Sequence, residues 1–291
     1  MTNEIHHLLS YLIQVPKDRV LTLKEQQELL NKHEPFFRLS VSNETSKEEH
    51  NAEQWFTENA STVFTQYAES LSTRIPFSTP IWQKVYNATL FTSLVAIRLM
   101  FNRVPNLSLA DIRLSIGADH RISKLAISET TPYFALVKDS PNAIAVSSQQ
   151  ELDKKLIAVI TQLSEPLLPV YKQHKVHARV YWGNIFYACN LAFSKLTNKP
   201  IEIAHDSIDT DSIDGWQSQL FDTELIKGGQ LNQVKSVQYQ GFQKVYVRRE
   251  TCCLKYKIDG KAKCSTCNLI PDSEQKEIML NKLQQALQSN H

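Results

Sequence analysis

The chain has 291 residues, of which 42% are hydrophobic and 21% charged. That supports a packed core and excludes disorder, collagen-like repeats and coiled coil as descriptions of the whole chain. Thirty-two Lys and Arg against 30 Asp and Glu leave +2, so no global field directs the molecule to nucleic acid or an anionic membrane, and any electrostatic argument must be local.

In chain order, residues 1–34 read as one or two helices. Leu8, Leu9, Leu12 and Ile13 fall at helical spacing before Pro16, and Thr22 precedes Glu25 in a capping-box arrangement ahead of Leu29 and Leu30. The N-terminus lacks the basic and apolar regions of an export signal. The polar stretch Ser40–Asn51 reads as a loop. Residues 52–73 and 80–103 read as two longer helices; the most apolar run, Ala88–Phe101, contains Arg98 and is too short for a bilayer span. A soluble, cytoplasmic protein is the expectation.

Residues 112–148 change character. Ile112–Ile116 alternates, and Leu125–Ile127, Tyr133–Val137 and Ala143–Val146 are short β-rich runs, which predicts a small sheet. Helices return over 149–163, 165–174 and 182–196, the last holding Cys189 as a small core residue. Strands near 234–239 and 242–249 lead into a cysteine-rich segment, and 273–288 is an amphipathic helix with Leu280, Leu283 and Leu287 on its stripe. The predicted class is α+β: a helical N-terminal region (1–111), a body with a small central sheet and flanking helices (112–233), and a C-terminal β-hairpin module followed by a helix (234–291).

Seven glycines are scattered through the chain, none at the offsets that wrap a pyrophosphate. No dinucleotide site is expected, so electrons would not arrive on a resident NAD or FAD. Of the histidines, His6, His7, His33, His50 and His291 read as surface residues, His120 as part of a turn, and His205 as a local partner of Asp206. His174 and His177 could share a helical face, but solvent exposure is the expected reading.

Four of the five cysteines, Cys252, Cys253, Cys264 and Cys267, form a C-C-x10-C-x2-C pattern. Two disulfides read poorly in a chain without an export signal, and adjacent cysteines close almost no loop beyond one another. A C-x2-C turn brings two sulfurs to one side of a metal, and four thiolates suit zinc or an iron–sulfur cluster. Adjacent thiolates are cramped on one tetrahedral ion, and a two-iron cluster relaxes that demand. Leu254–Ile258 alternates like a half-buried strand, which would send Cys252 and Cys253 to opposite faces. Regular strand geometry is therefore expected to break at Cys252–Cys253, with Asp259-Gly260 as a turn and Cys264–Cys267 as the closing chelate loop.

The segment from Arg248 through Cys252-Cys253 to Lys263-Cys-Ser-Thr-Cys267 resembles the C-terminal motif of the FhuF-like ferric-siderophore reductases, and Trp182-Gly-Asn184 resembles that family's W-G-N element. The resemblance implies a [2Fe-2S] cluster on Cys252, Cys253, Cys264 and Cys267. It also implies one-electron reduction of a ferric siderophore in the cytoplasm. With no cofactor motif of its own, the protein would take electrons from a ferredoxin or flavodoxin, and it is read as a monomer. The rival readings are a structural zinc module and an iron–sulfur electron carrier or sensor.

From Lys244 to Lys263, seven cations face only Glu250 and Asp259. They could simply solubilise a hairpin. They could also raise the potential of an anionic cluster and attract an anionic chelate of hydroxamate or citrate-hydroxamate type. Arg248 and Arg249 are the first candidates for cluster or chelate contacts, with Lys255 and Lys257 second. Trp182 and Asn184 are candidates for the substrate side. Asn184 is otherwise a cap for the helix that follows.

Overall fold

The computed structural model describes residues 15–16, 19–203, 208–221 and 231–289. The Leu8–Ile13 run, His6, His7, His291 and the His205-Asp206 pair lie outside them. Helix α1 (Leu23–His33) begins at the expected capping box: Thr22 Oγ1 accepts the Glu25 N–H, and the Glu25 carboxylate accepts the Thr22 N–H at 2.8 Å. The predicted loop over 40–51 is framed by two strands, β1 (Leu39–Val41) and β2 (His50–Asn51). Their backbone groups find partners in distant strands, which local composition cannot report.

The helix expected over 52–73 is two helices, α2 (Ala52–Glu58) and α3 (Ala60–Ser70), divided at Asn59. Helix α4 (Ile75–Phe101) starts earlier than the expected residue 80. Pro76 sits where no N–H partner is needed, and the helix runs on past Pro80. It ends at Asn102, whose φ of 52° is left-handed.

Strands β3 (Arg103–Pro105), β4 (Arg113–Ile116), β5 (Ile122–Ile127), β6 (Tyr133–Ala135) and β7 (Ala143–Ala145) follow. The single small sheet expected here is two sheets. One has the order β1-β5-β4-β2 with β1 parallel to β5, so the N-terminal region contributes two of its strands; the other is β3-β6-β7. Helix α5 (Gln149–Ser164) is capped by Ser148. A 3-10 turn leads from it into α6 (Leu168–Gln173).

Helix α7 (Ala178–Leu196) starts four residues before the Trp-Gly-Asn segment, which is therefore interior to the helix. His174 caps the C-terminal end of α6 and His177 the start of α7, so they share no helical face. His33 is half-buried rather than at the surface, its Nε2 2.9 Å from the Leu196 carbonyl oxygen. His120 lies in the expected turn, with φ of 59°.

The core runs between α4 and α7, both apolar on nearly all sides. Polar side chains lock the pair: Thr92 donates to the Ala188 carbonyl at 2.8 Å and Gln83 to the Tyr181 carbonyl at 3.0 Å. Cys189 is buried in this contact, as expected of a core residue, and burial raises its thiol pKa.

Strand β8 (Ile201–Glu202) and helix α8 (Thr210–Phe221) precede the hairpin of β9 (Asn232–Tyr239) and β10 (Phe242–Arg249). Gln240 and Gly241, both at positive φ, make the two-residue turn that matches strand twist. One face of the hairpin meets α7 through Val247, Tyr187 and Leu191. The final helix α9 (Asp272–Gln288) covers the other, with Met279 and Leu283 on Val237 and Tyr246. The mixed α+β class with C-terminal strands and a closing helix is as the sequence predicts. No described helix is long and apolar enough to cross a membrane.

Arg98, 1% exposed inside α4, is held by Asp153, whose other carboxylate oxygen accepts from Trp216 Nε1 at 3.0 Å. Burial drives the Arg98 pKa down while Asp153 opposes that. Asp153→Ala leaves an uncompensated buried guanidinium and is expected to cost about 3–5 kcal/mol in urea unfolding. Loss below about 1 kcal/mol would show that the pair does not hold α4 to α5.

Candidate iron–sulfur site

Strand β10 delivers Arg249 to the edge of the core, and there the ladder stops. Glu250 N–H still bonds the Leu231 carbonyl at 2.9 Å, but no described residue between Thr251 and Asp259 is in a strand. The half-buried strand expected over 254–258 is replaced by a left-handed Leu254, φ 60°, and a single 3-10 turn at Lys255–Lys257. This is the break in regular geometry anticipated at the adjacent cysteines. In an extended strand their side chains would diverge; the reversal at Leu254 removes that constraint, and its N–H donates to Cys252 Sγ at 3.3 Å. Alternation of apolar residues is equally compatible with a tight turn that buries only Ile258.

Gly260, φ 70°, turns the chain back. The Cys267 N–H closes on the Cys264 carbonyl at 2.9 Å, forming the C-x2-C turn. Two contacts hold this turn in place. Arg249 N–H bonds the Thr266 carbonyl at 3.3 Å, and Gln275 of α9, fully buried, donates to the Ser265 carbonyl at 2.8 Å.

Cys253 interacts with Cys264, and Cys267 interacts with both Cys252 and Cys253. Cys253 and Cys267 are buried, while Cys252 and Cys264 are partly exposed. Within the first pair, the hydrogen bond from Cys253 to Cys264 pushes the Cys253 pKa up to about 12, with burial adding to the rise. The same bond pulls Cys264 down to about 5, assisted by the positive charges of Lys84 and Arg249. Burial raises Cys267. Among the described residues, no three His, Cys, Asp or Glu side chains converge on one ion position. Four thiols in one short segment are a donor set that suits zinc or a two-iron centre.

Arg249 is wholly buried. Its Nη2 donates to Asn184 Oδ1 at 2.5 Å, and its guanidinium lies over the Tyr187 ring at 4.8 Å. Asn184 is also wholly buried and donates to the Pro80 carbonyl and to Gln83 Oε1 at 2.8 Å. It therefore ties α7 to α4 and does not cap a helix. Trp182 is buried, stacked on Phe186 at 5.9 Å. Of the residues expected on the substrate side, Arg249, Asn184 and Trp182 are thus buried.

Arg248, half-buried, bonds Gln275 Oε1 at 3.0 Å and the Ile270 carbonyl at 3.3 Å, and pairs with Glu250 and Asp272. Lys255 is half-buried and Lys257, Lys261 and Lys263 are exposed. The sequence reading missed Lys84, Tyr187 and Gly183. Only Gly183 left a trace, as the middle of Trp-Gly-Asn.

Four thiols thus lie in one short, partly open segment of the chain. Residues 249–267 match the family model described as the FhuF 2Fe-2S C-terminal domain. The chain is FhuF-like at this segment, and the match points to an iron–sulfur redox role in iron handling. No curated protein matches the chain.

A Cβ on Gly183 would lie 2.1 Å from Thr251 Oγ1 and 2.9 Å from Thr251 Cβ. Glycine at this position lets the residue before the cysteine pair rest on α7. Gly183→Ala is expected to destabilise by about 1–3 kcal/mol through overpacking. Thr251→Gly should recover most of that loss in a double-mutant cycle on thermal or urea unfolding. Strict additivity of the two changes would refute the contact.

Proposed function

We propose that the protein is a ferric-siderophore reductase acting in the cytoplasm. On this reading Cys252, Cys253, Cys264 and Cys267 hold a [2Fe-2S] cluster. The observation that carries it is the family match over the very segment that holds the four thiols, two of them partly exposed. When bound, such a centre supplies one electron at a time.

The chain's own groups prepare that exchange. Cys253 and Cys267 anchor from the buried side, while Cys252 and Cys264 lie where a bulky chelate or a donor protein can approach. Lys257, Lys261 and Lys263 give this edge a positive face that attracts an anionic ferric chelate. Hydroxamate and citrate-hydroxamate chelates fit that charge. Hard oxygen donors hold Fe³⁺ more firmly than Fe²⁺, so one electron added to the substrate's iron weakens the complex and lets iron leave. A ferredoxin- or flavodoxin-type protein would supply the electron.

The purified protein should be red-brown, with equal iron and sulfide and a visible spectrum bleached by reductant. Each single Cys→Ala change among the four should remove most of that iron. A colourless protein containing zinc would refute the reading. A coloured protein that reduces no ferric siderophore would leave an electron carrier or sensor. With an anionic ferric chelate, kcat/KM is expected to fall severalfold between low salt and about 0.15 M salt, where the screening length is about 8 Å. A flat salt profile would exclude the lysine edge as the docking face.

A further inference from the structure

Lys84 belongs to α4, far from the cysteines in sequence, yet its ammonium lies over the Tyr187 ring at 4.9 Å. The Arg249 guanidinium lies over the same ring at 4.8 Å. One tyrosine of α7 thus positions two cations from two other elements. Arg249 stands three residues before Cys252, and α4, which carries Lys84, packs against the Lys255–Lys257 turn that follows the cysteine pair. Arg249 has no exposed surface, and its Nε and Nη1 have no hydrogen-bond partner among the described residues. A buried guanidinium with two idle donors is costly unless an anion faces it. With a cluster bound, the four thiolates would be the nearby anionic group, and each electron it received would make it more negative.

We propose that Lys84, Tyr187 and Arg249 form a cationic seat that raises the reduction potential of the centre held by the four cysteines. Tyr187 is the positioning residue, and Arg249 offers Nε–H and Nη1–H toward sulfur. Lys84 supplies the second charge from a half-buried position that tolerates substitution. The inference rests on the iron–sulfur reading above and extends it to three residues outside the ligand set. Arginine and lysine differ here in kind: a buried fork donates directional bonds, while an ammonium acts as a point charge.

The test is an anaerobic redox titration of the purified holoprotein, followed by the visible spectrum and the electron-spin signal of the reduced centre. Lys84→Gln should shift the oxidised-to-reduced equilibrium about tenfold toward the oxidised form, which is about 59 mV lower for one electron. Lys84→Arg should restore the wild-type potential. Tyr187→Leu, which frees both cations, should lower it further. Lys154→Gln, on α5, should leave it unchanged. Arg249→Lys should lower the potential as well, and if it does not fold, the Lys84 series decides the matter alone.

Equal potentials in wild type, K84Q and K84R would overturn the proposal while leaving the cluster assignment intact. An unchanged potential with a raised KM for ferric chelate would also overturn it and make Lys84 a docking residue. Absence of any iron–sulfur signal in the unaltered protein would sink the underlying reading and this one together.

Discussion

A fully buried guanidinium holds the cysteine segment to the helical core. Arg249 sits at the last residue of β10, bonded to Asn184 and stacked on Tyr187. Its backbone N–H holds the carbonyl of Thr266 in the chelate turn. One residue therefore connects the hairpin, helix α7 and both halves of the cysteine pattern. Burying a cation is unfavourable unless hydrogen bonds and opposite charge compensate. Asn184 supplies one bond and the tyrosine face another contact. The Arg249 Nε and Nη1 are left without a partner among the described residues.

Asn184 is in turn held by α4 through Pro80 and Gln83. The line from α4 to Asn184 to the Arg249 side chain is a chain of buried polar contacts, and the Arg249 backbone N–H extends it to Thr266 in the chelate turn. The Trp-Gly-Asn segment acquires a physical meaning from this. Trp182 packs, Gly183 leaves room for Thr251, and Asn184 receives the arginine. All three are buried in α7.

The outer edge has a different character. Cys252 and Cys264 are partly exposed beside lysines whose side chains reach water. Helix α9 clamps the chelate turn from the far side through Gln275, and Lys282 donates to Ser265 Oγ at 3.2 Å.

The four cysteines, the break in strand geometry at Cys252–Cys253, the capping box at Thr22 and the hairpin before the motif could all be read from the linear chain. Each depends on residues a few positions apart, where spacing and side-chain chemistry suffice. Only the tertiary structure decided that Leu254–Ile258 turns rather than extends, that Arg249 and Asn184 face inward, and that Lys84 shares the Tyr187 ring with Arg249. Those outcomes follow from burial and long-range pairing between α4, α7 and β10. Residues 100 or more positions apart meet there because their apolar faces must leave water, and no local pattern records which polar groups they carry in with them.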